Sequence, residues 1–218
     1  MKPKIMTRHG AGANNSEGSG IVSSPRIGII HRLNTRILTG IFGIWLSLAG
    51  VCPLFASQED PRLEPLFIKL HESLNDQEAT MIETIIWRIW NQNEEKEINR
   101  LMQVGMQAMQ EENYDQALEI FNQVIKQAPT FAEGWNKRAI VYYLKGDYEA
   151  SIEDITRTLS LEPRHFGALS GLGIIYFDQG KYHKSLGAFQ EALKANPHLK
   201  GARQNVEVIQ QYLREHVI

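Results

Sequence analysis

Cysteine is almost absent. Cys52 stands alone in 218 residues, so no disulfide can close within the chain. No pair of cysteines or histidines has metal-ligand spacing. His165, His183 and His198 are scattered over repeat boundaries and turns, and read as solvated surface side chains. A glycine-rich phosphate loop is also missing, because Gly171 and Gly173 fall inside a helical pattern. Ser151 and Ser185 have no neighbouring base. Glu149, Glu153, Asp154 and Arg157 share one helix, with Glu153 and Arg157 spaced as an ordinary surface pair. Carboxylate catalysis needs an enclosing pocket to shift a pKa, and nothing here supplies one. The expectation is no enzyme, no catalytic residue, no cofactor and no metal.

Charge is missing from one stretch and one-sided in the rest. Residues 37–56, ILTGIFGIWLSLAGVCPLFA, carry none, while residues 1–36 carry six Lys/Arg (Lys2, Lys4, Arg8, Arg26, Arg32, Arg36) against Glu17 alone. The remainder, 57–218, holds 17 basic and 24 acidic residues. An acidic body argues against a nucleic-acid partner, whose affinity comes largely from neutralised phosphates.

The first 36 residues lack periodicity and read as a basic, disordered extension. The basic segment before an apolar run that ends in small residues reads as a secretory signal, cleaved after Ala56. Left uncut, the run is long enough to span a bilayer and would anchor the chain with its basic end in the cytoplasm. Either way the body is expected outside the cytoplasm: exported to the periplasm, or held in the inner membrane facing it. Membrane contact is expected only through residues 37–56, if uncleaved. Val51 before Cys52 argues against lipidation.

Residues 57–97 read as a polar linker and a helical hairpin. Leu66, Phe67, Leu70 and Leu74 make one stripe; Met81, Ile82, Ile85, Ile86, Ile89 and Trp90 make the other, with Asn75-Asp76 as a cap between them. Trp87 and Trp90 share roughly one side. The hairpin is expected to cover the open end of the array that follows, since a terminal repeat needs covering.

That array has a fixed period of 34 residues: Tyr114, Tyr148 and Tyr182; Pro129, Pro163 and Pro197; Gly105, Ala139 and Gly173. Such a period marks a helical solenoid. Three repeats follow, 98–131, 132–165 and 166–199. In each, a large residue (Leu101, Trp135, Leu169) precedes the small one, and Ala117, Ser151 and Ser185 open the second helix's inner face. Phe121, Ile155 and Phe189 fill the seam, and the prolines end each second helix. Gly146 and Gly180 suit a left-handed turn residue. Glu112-Asn113 occupies that turn in the first repeat, which predicts a looser turn. Arg138 is expected to lay its stem on the core and keep its head wet. Residues 200–218 make a closing helix with Ala202, Val206, Ile209 and Leu213 on its buried face.

These residues resemble the tetratricopeptide repeat (TPR) family over 98–199, and with the N-terminal segment the chain looks like a small exported bacterial TPR protein. The resemblance implies an all-α, right-handed solenoid whose first helices line a concave, peptide-holding groove. The family's groove-facing positions fall here on Met102, Met106, Met109, Asn136, Ile140, Tyr143, Ile174 and Phe177, with Glu133 beside them. Gly167 and Gly171 stand where some family members place bases that grip a terminal carboxylate, so that clamp is absent. The expected partner is a protein or peptide, held for envelope assembly. The alternatives are a self-associating scaffold, its groove filled by the C-terminal helix or a second copy, and an accessory subunit of an envelope enzyme or assembly complex.

Overall fold

The computed structural model describes residues 60–216. The basic extension, the apolar run, Cys52 and the cleavage position lie outside the described residues. Within them the chain is all helix, with no strand. Among these residues no helix is long and apolar enough to cross a membrane.

Six helices form three antiparallel pairs at the predicted period: α3 (Lys96–Gln110) with α4 (Tyr114–Gln127), α5 (Ala132–Leu144) with α6 (Tyr148–Leu161), and α7 (Phe166–Asp178) with α8 (Tyr182–Ala195). The small residue of each first helix explains the close pairing. A Cβ on Gly105 would stand 2.7 Å from the Phe121 ring, and one on Gly173 would stand 2.9 Å from Phe189. Ser151 Oγ donates to the Ala139 carbonyl at 2.7 Å, and Ser185 Oγ to the Gly173 carbonyl at 2.6 Å. The serines therefore bolt each second helix to the first, which is more than filling space. Repeat 1 has Ala117 at that place and no such bolt.

The three intra-repeat turns are built alike. Gly146 and Gly180 have φ of 79° and 73°. Asn113, Asp147 and Lys181 N–H groups reach back to the Ala108, Tyr142 and Tyr176 carbonyls at 2.8, 2.9 and 2.8 Å, closing the last turn of each first helix. The first turn is not looser. Glu112 takes the left-handed conformation itself, at φ 57°, so the local geometry is kept and a side chain bears the strain.

Arg138 also departs from expectation. Its head is not wet: it forms a two-pronged pair with Asp154, 2.7 Å on each arm, and its third nitrogen meets Asn122 at 2.6 Å. Asp154 is buried, so a free guanidinium would have left that carboxylate unpaired. Helix α9 (Lys200–His216) closes the array, burying Ala202 and Ile209 beside Phe177 and Phe189.

The N-terminal hairpin is α1 (Leu63–Glu72) and α2 (Asp76–Trp90). Asn75 caps α2 by accepting from the Glu78 N–H. The hairpin does not cover repeat 1. Its buried face, with Leu63, Phe67, Leu70, Ile86 and Trp90, shares one core with Phe166, Leu169, Ala195 and Leu199, and no residue of repeat 1 joins that core. The reason is chemical fit. Two indoles need flat or small partners, and the junction of repeats 2 and 3 offers His165, Phe166 and Gly167 in a row.

Candidate groove and its aromatic cover

His165 opens α7. Its Nδ1 accepts from the Ala168 backbone N–H at 3.1 Å. A backbone N–H can only donate, so the imidazole proton sits on Nε2, which reaches Glu133 Oε2 at 2.9 Å. Glu133 is fully buried at the start of α5. Asn136 Nδ2 donates to the same oxygen at 3.0 Å, and Lys137 Nζ meets the other at 2.7 Å. Burial alone would push the Glu133 carboxyl up, but the Lys137 ammonium and the His165 bond outweigh it and hold it at about 2.

The hairpin lies over this network. Trp90 stacks on the His165 ring, centroids 4.3 Å apart and planes 10° from parallel. Trp87 stands edge-on to Phe166 at 5.3 Å, with the Lys137 ammonium 5.9 Å from its ring centroid. A Cβ on Gly167 would meet Trp87 at 2.5 Å, so this position is glycine because an indole occupies its side-chain space. Polar ties fix the rim. Glu64 pairs with Arg164 at 2.7 Å, Asp76 with Lys200 at 2.8 Å, and His71 Nε2 bonds the Lys194 carbonyl at 2.8 Å. Arg164 also lies over the Phe67 ring at 4.1 Å.

The predicted groove residues divide by exposure. Met106, Met109, Ile140, Tyr143 and Ile174 are partly exposed on the first helices. Met102, Asn136 and Phe177 are buried, at 2%, 4% and 2% exposure. The Asn136 amide is already spent on Glu133. Tyr143 OH donates to Asp178 Oδ2 at 3.0 Å, linking α5 to α7; burial and then that bond push the hydroxyl pKa well up. Tyr143 also stacks on Tyr148 at 5.9 Å.

The buried network was missed in the sequence. A signal was there: Phe131, His165 and Leu199 hold the same place in successive repeats, so the middle one breaks an apolar rule. His165 is fully buried and not solvated. His198 bonds Ser73 at 2.9 Å, and only His183 of the three is exposed.

Sequence profiles of the tetratricopeptide repeat match residues 105–157 and 167–199. Those residues of the chain are tetratricopeptide repeats. It is 38% identical over 116 residues to a TPR repeat-containing protein of Rhizobium etli, covering 53% of this chain and 57% of that one. It is 33% identical over 64 residues to a tetratricopeptide repeat protein 36 homolog of Nematostella vectensis, covering 29% and 35%. The TPR chain thus spans little more than half the length of the longer match. Among solved structures, the Sgt2 TPR domain from Aspergillus fumigatus superimposes with TM-score 0.53 at 24% identity, over 56% of this chain and 82% of that one. The first TPR of Spaghetti (RPAP3), bound to an HSP90 peptide, gives 0.52 at 19%, over 54% and 93%. The TPR2B domain of yeast Sti1 in its pHsp70 complex gives 0.51 at 15%, over 54% and 99%. These likenesses establish the fold.

Proposed function

We propose that this TPR protein is a non-catalytic interaction scaffold that holds a peptide or an extended partner segment in the bacterial cell envelope. One observation carries the reading. The hairpin covers residues 165–167 at the junction of repeats 2 and 3 and leaves Met106, Met109, Ile140, Tyr143 and Ile174 partly exposed along the first helices. Partly exposed methionine and isoleucine suit adaptable side-chain contact. Two of the fold neighbours were solved with bound Hsp peptides or partners, which supports peptide holding as a use of this fold. The envelope part rests on the charge pattern of residues 1–56.

Tyr143→Ala tests the groove. Against a co-purified partner it is expected to weaken binding by about 1–3 kcal/mol, as a partly buried aromatic anchor does. Unchanged affinity with a collapsed melting temperature would make Tyr143 a core residue and remove the groove reading. A C-terminal alkaline phosphatase fusion tests the compartment, and activity is expected.

A further inference from the structure

Large exposed apolar side chains are confined to one element among the described residues. Ile68, Leu74, Met81 and Ile85 are 50%, 94%, 63% and 41% exposed, and all four belong to the hairpin. Two of them, Met81 and Ile85, lie on α2 along the flank of its buried stripe of Ile82, Ile86 and Ile89, and Leu74 directly precedes the Asn75 cap. With the charged residues that continue it, the line on α2 reads Glu78, Met81, Ile85, Arg88, with spacings of three, four and three. That alternation is the seam pattern by which one helix packs along another. In a soluble helix facing only water those places would be polar.

The charges on the seam say what the other helix is. Glu78 and Arg88 stand at equal distances either side of Glu83, with Met81 and Ile85 symmetric about the same point. A two-fold contact requires that residue i meet residue j while j meets i. Laid antiparallel on its own copy about Glu83, α2 sets Glu78 opposite Arg88 twice and Met81 opposite Ile85 twice. Both charged side chains are exposed, and neither has an ion-pair partner among the described residues. The hairpin is also firmly seated on repeat 3 through Trp90 and Phe67, so its outer face is presented on a fixed base.

We infer that the outer face of α2 is a self-recognition surface whose occupant is α2 of a second copy of this chain, antiparallel and two-fold related. This goes beyond the groove reading and does not depend on it, because the seam lies on the opposite side of the hairpin from the covered network. A single pair of helices of this length falls short of the ~800 Å² per partner typical of a stable interface. The dimer is therefore reversible and grows in with concentration.

Charge reversal tests it on the full chain, dispersed in mild detergent so that residues 37–56 stay soluble. Mass is read by sedimentation velocity over a concentration series. Wild type is expected to move from one chain towards two. Glu78→Arg and Arg88→Glu each bring like charges together at both contacts and should weaken association about tenfold or more. The double variant restores opposite charges and should dimerise like wild type. Met81→Ser with Ile85→Ser should abolish the dimer. All these positions are exposed, so helix content and melting temperature should hold in each variant. Association through residues 37–56 would ignore these changes. A wild-type mass of one chain at every concentration overturns the inference. So does association indifferent to single reversals, or a double variant that stays monomeric.

Discussion

Two junctions between repeats occupy equivalent places and are made of different matter. The first, between α4 and α5, is hydrocarbon: Val124, Phe131 and Val141 share one core, and Val124 lies 2.9 Å from where a Gly134 Cβ would stand. The second, between α6 and α7, replaces the phenylalanine with His165 and builds a buried ion network beneath two indoles. The residue equivalent to Glu133 in repeat 1 is Asn99, whose side chain turns instead to the preceding loop at Asn93. The period fixes how helices pair, and it leaves the content of each junction free. The junction that breaks the pattern is the one on which the non-repeating hairpin sits.

The largest effect should come from removing the network's centre. Glu133→Ala strands Lys137 and His165 in a buried site and should cost about 3–5 kcal/mol, measured by urea denaturation. Phe131→His, which makes the first junction resemble the second without its carboxylate, should cost about 2–3 kcal/mol, because an imidazole is buried with no partner.

Acid separates the junctions further. Glu133 titrates at about 2 when folded against 4.5 for the free group. The folded state therefore binds fewer protons across that window, and the stabilisation is complete above the free value and drains as pH falls towards 2. Wild type should lose more stability than Glu133→Gln between about pH 5 and 2, by a few kcal/mol at most. Equal losses in both proteins would show that the carboxylate is not held low.

Smaller changes sharpen the contrast inside repeats. Ser185→Ala should cost about 1 kcal/mol through the lost bond to Gly173, and Ala117→Ser should return part of that to repeat 1. Glu112→Gly should raise the melting temperature slightly, a gain of about 0.5–1 kcal/mol, because glycine takes φ 57° without strain.

The array was legible because its signals repeat: three tyrosines, three prolines and the small residues all fall in phase. The closing helix was legible from its apolar face. What stayed hidden was singular. Nothing local in Trp87 and Trp90 says that they will meet residues 165–167 rather than repeat 1, because the deciding contact is a stacked pair of rings far apart in sequence. The groove positions were placed by the period, yet Met102, Asn136 and Phe177 are buried. Their depth depends on neighbours that are not periodic, namely Glu133 for Asn136 and α9 for Phe177.

Order of synthesis gives the hairpin's landing place a further consequence. Glu64 and Arg164 pair across 100 residues, and His71 reaches Lys194 across 123. The hairpin leaves the ribosome before the surface that receives it. At 5–20 residues per second the wait is roughly 5–20 s. For that time Phe67, Leu70 and Trp90 have no cover, while each repeat can pair its two helices as soon as it emerges. A chain cut short before repeat 3 would leave those side chains without the partners that bury them for its whole lifetime.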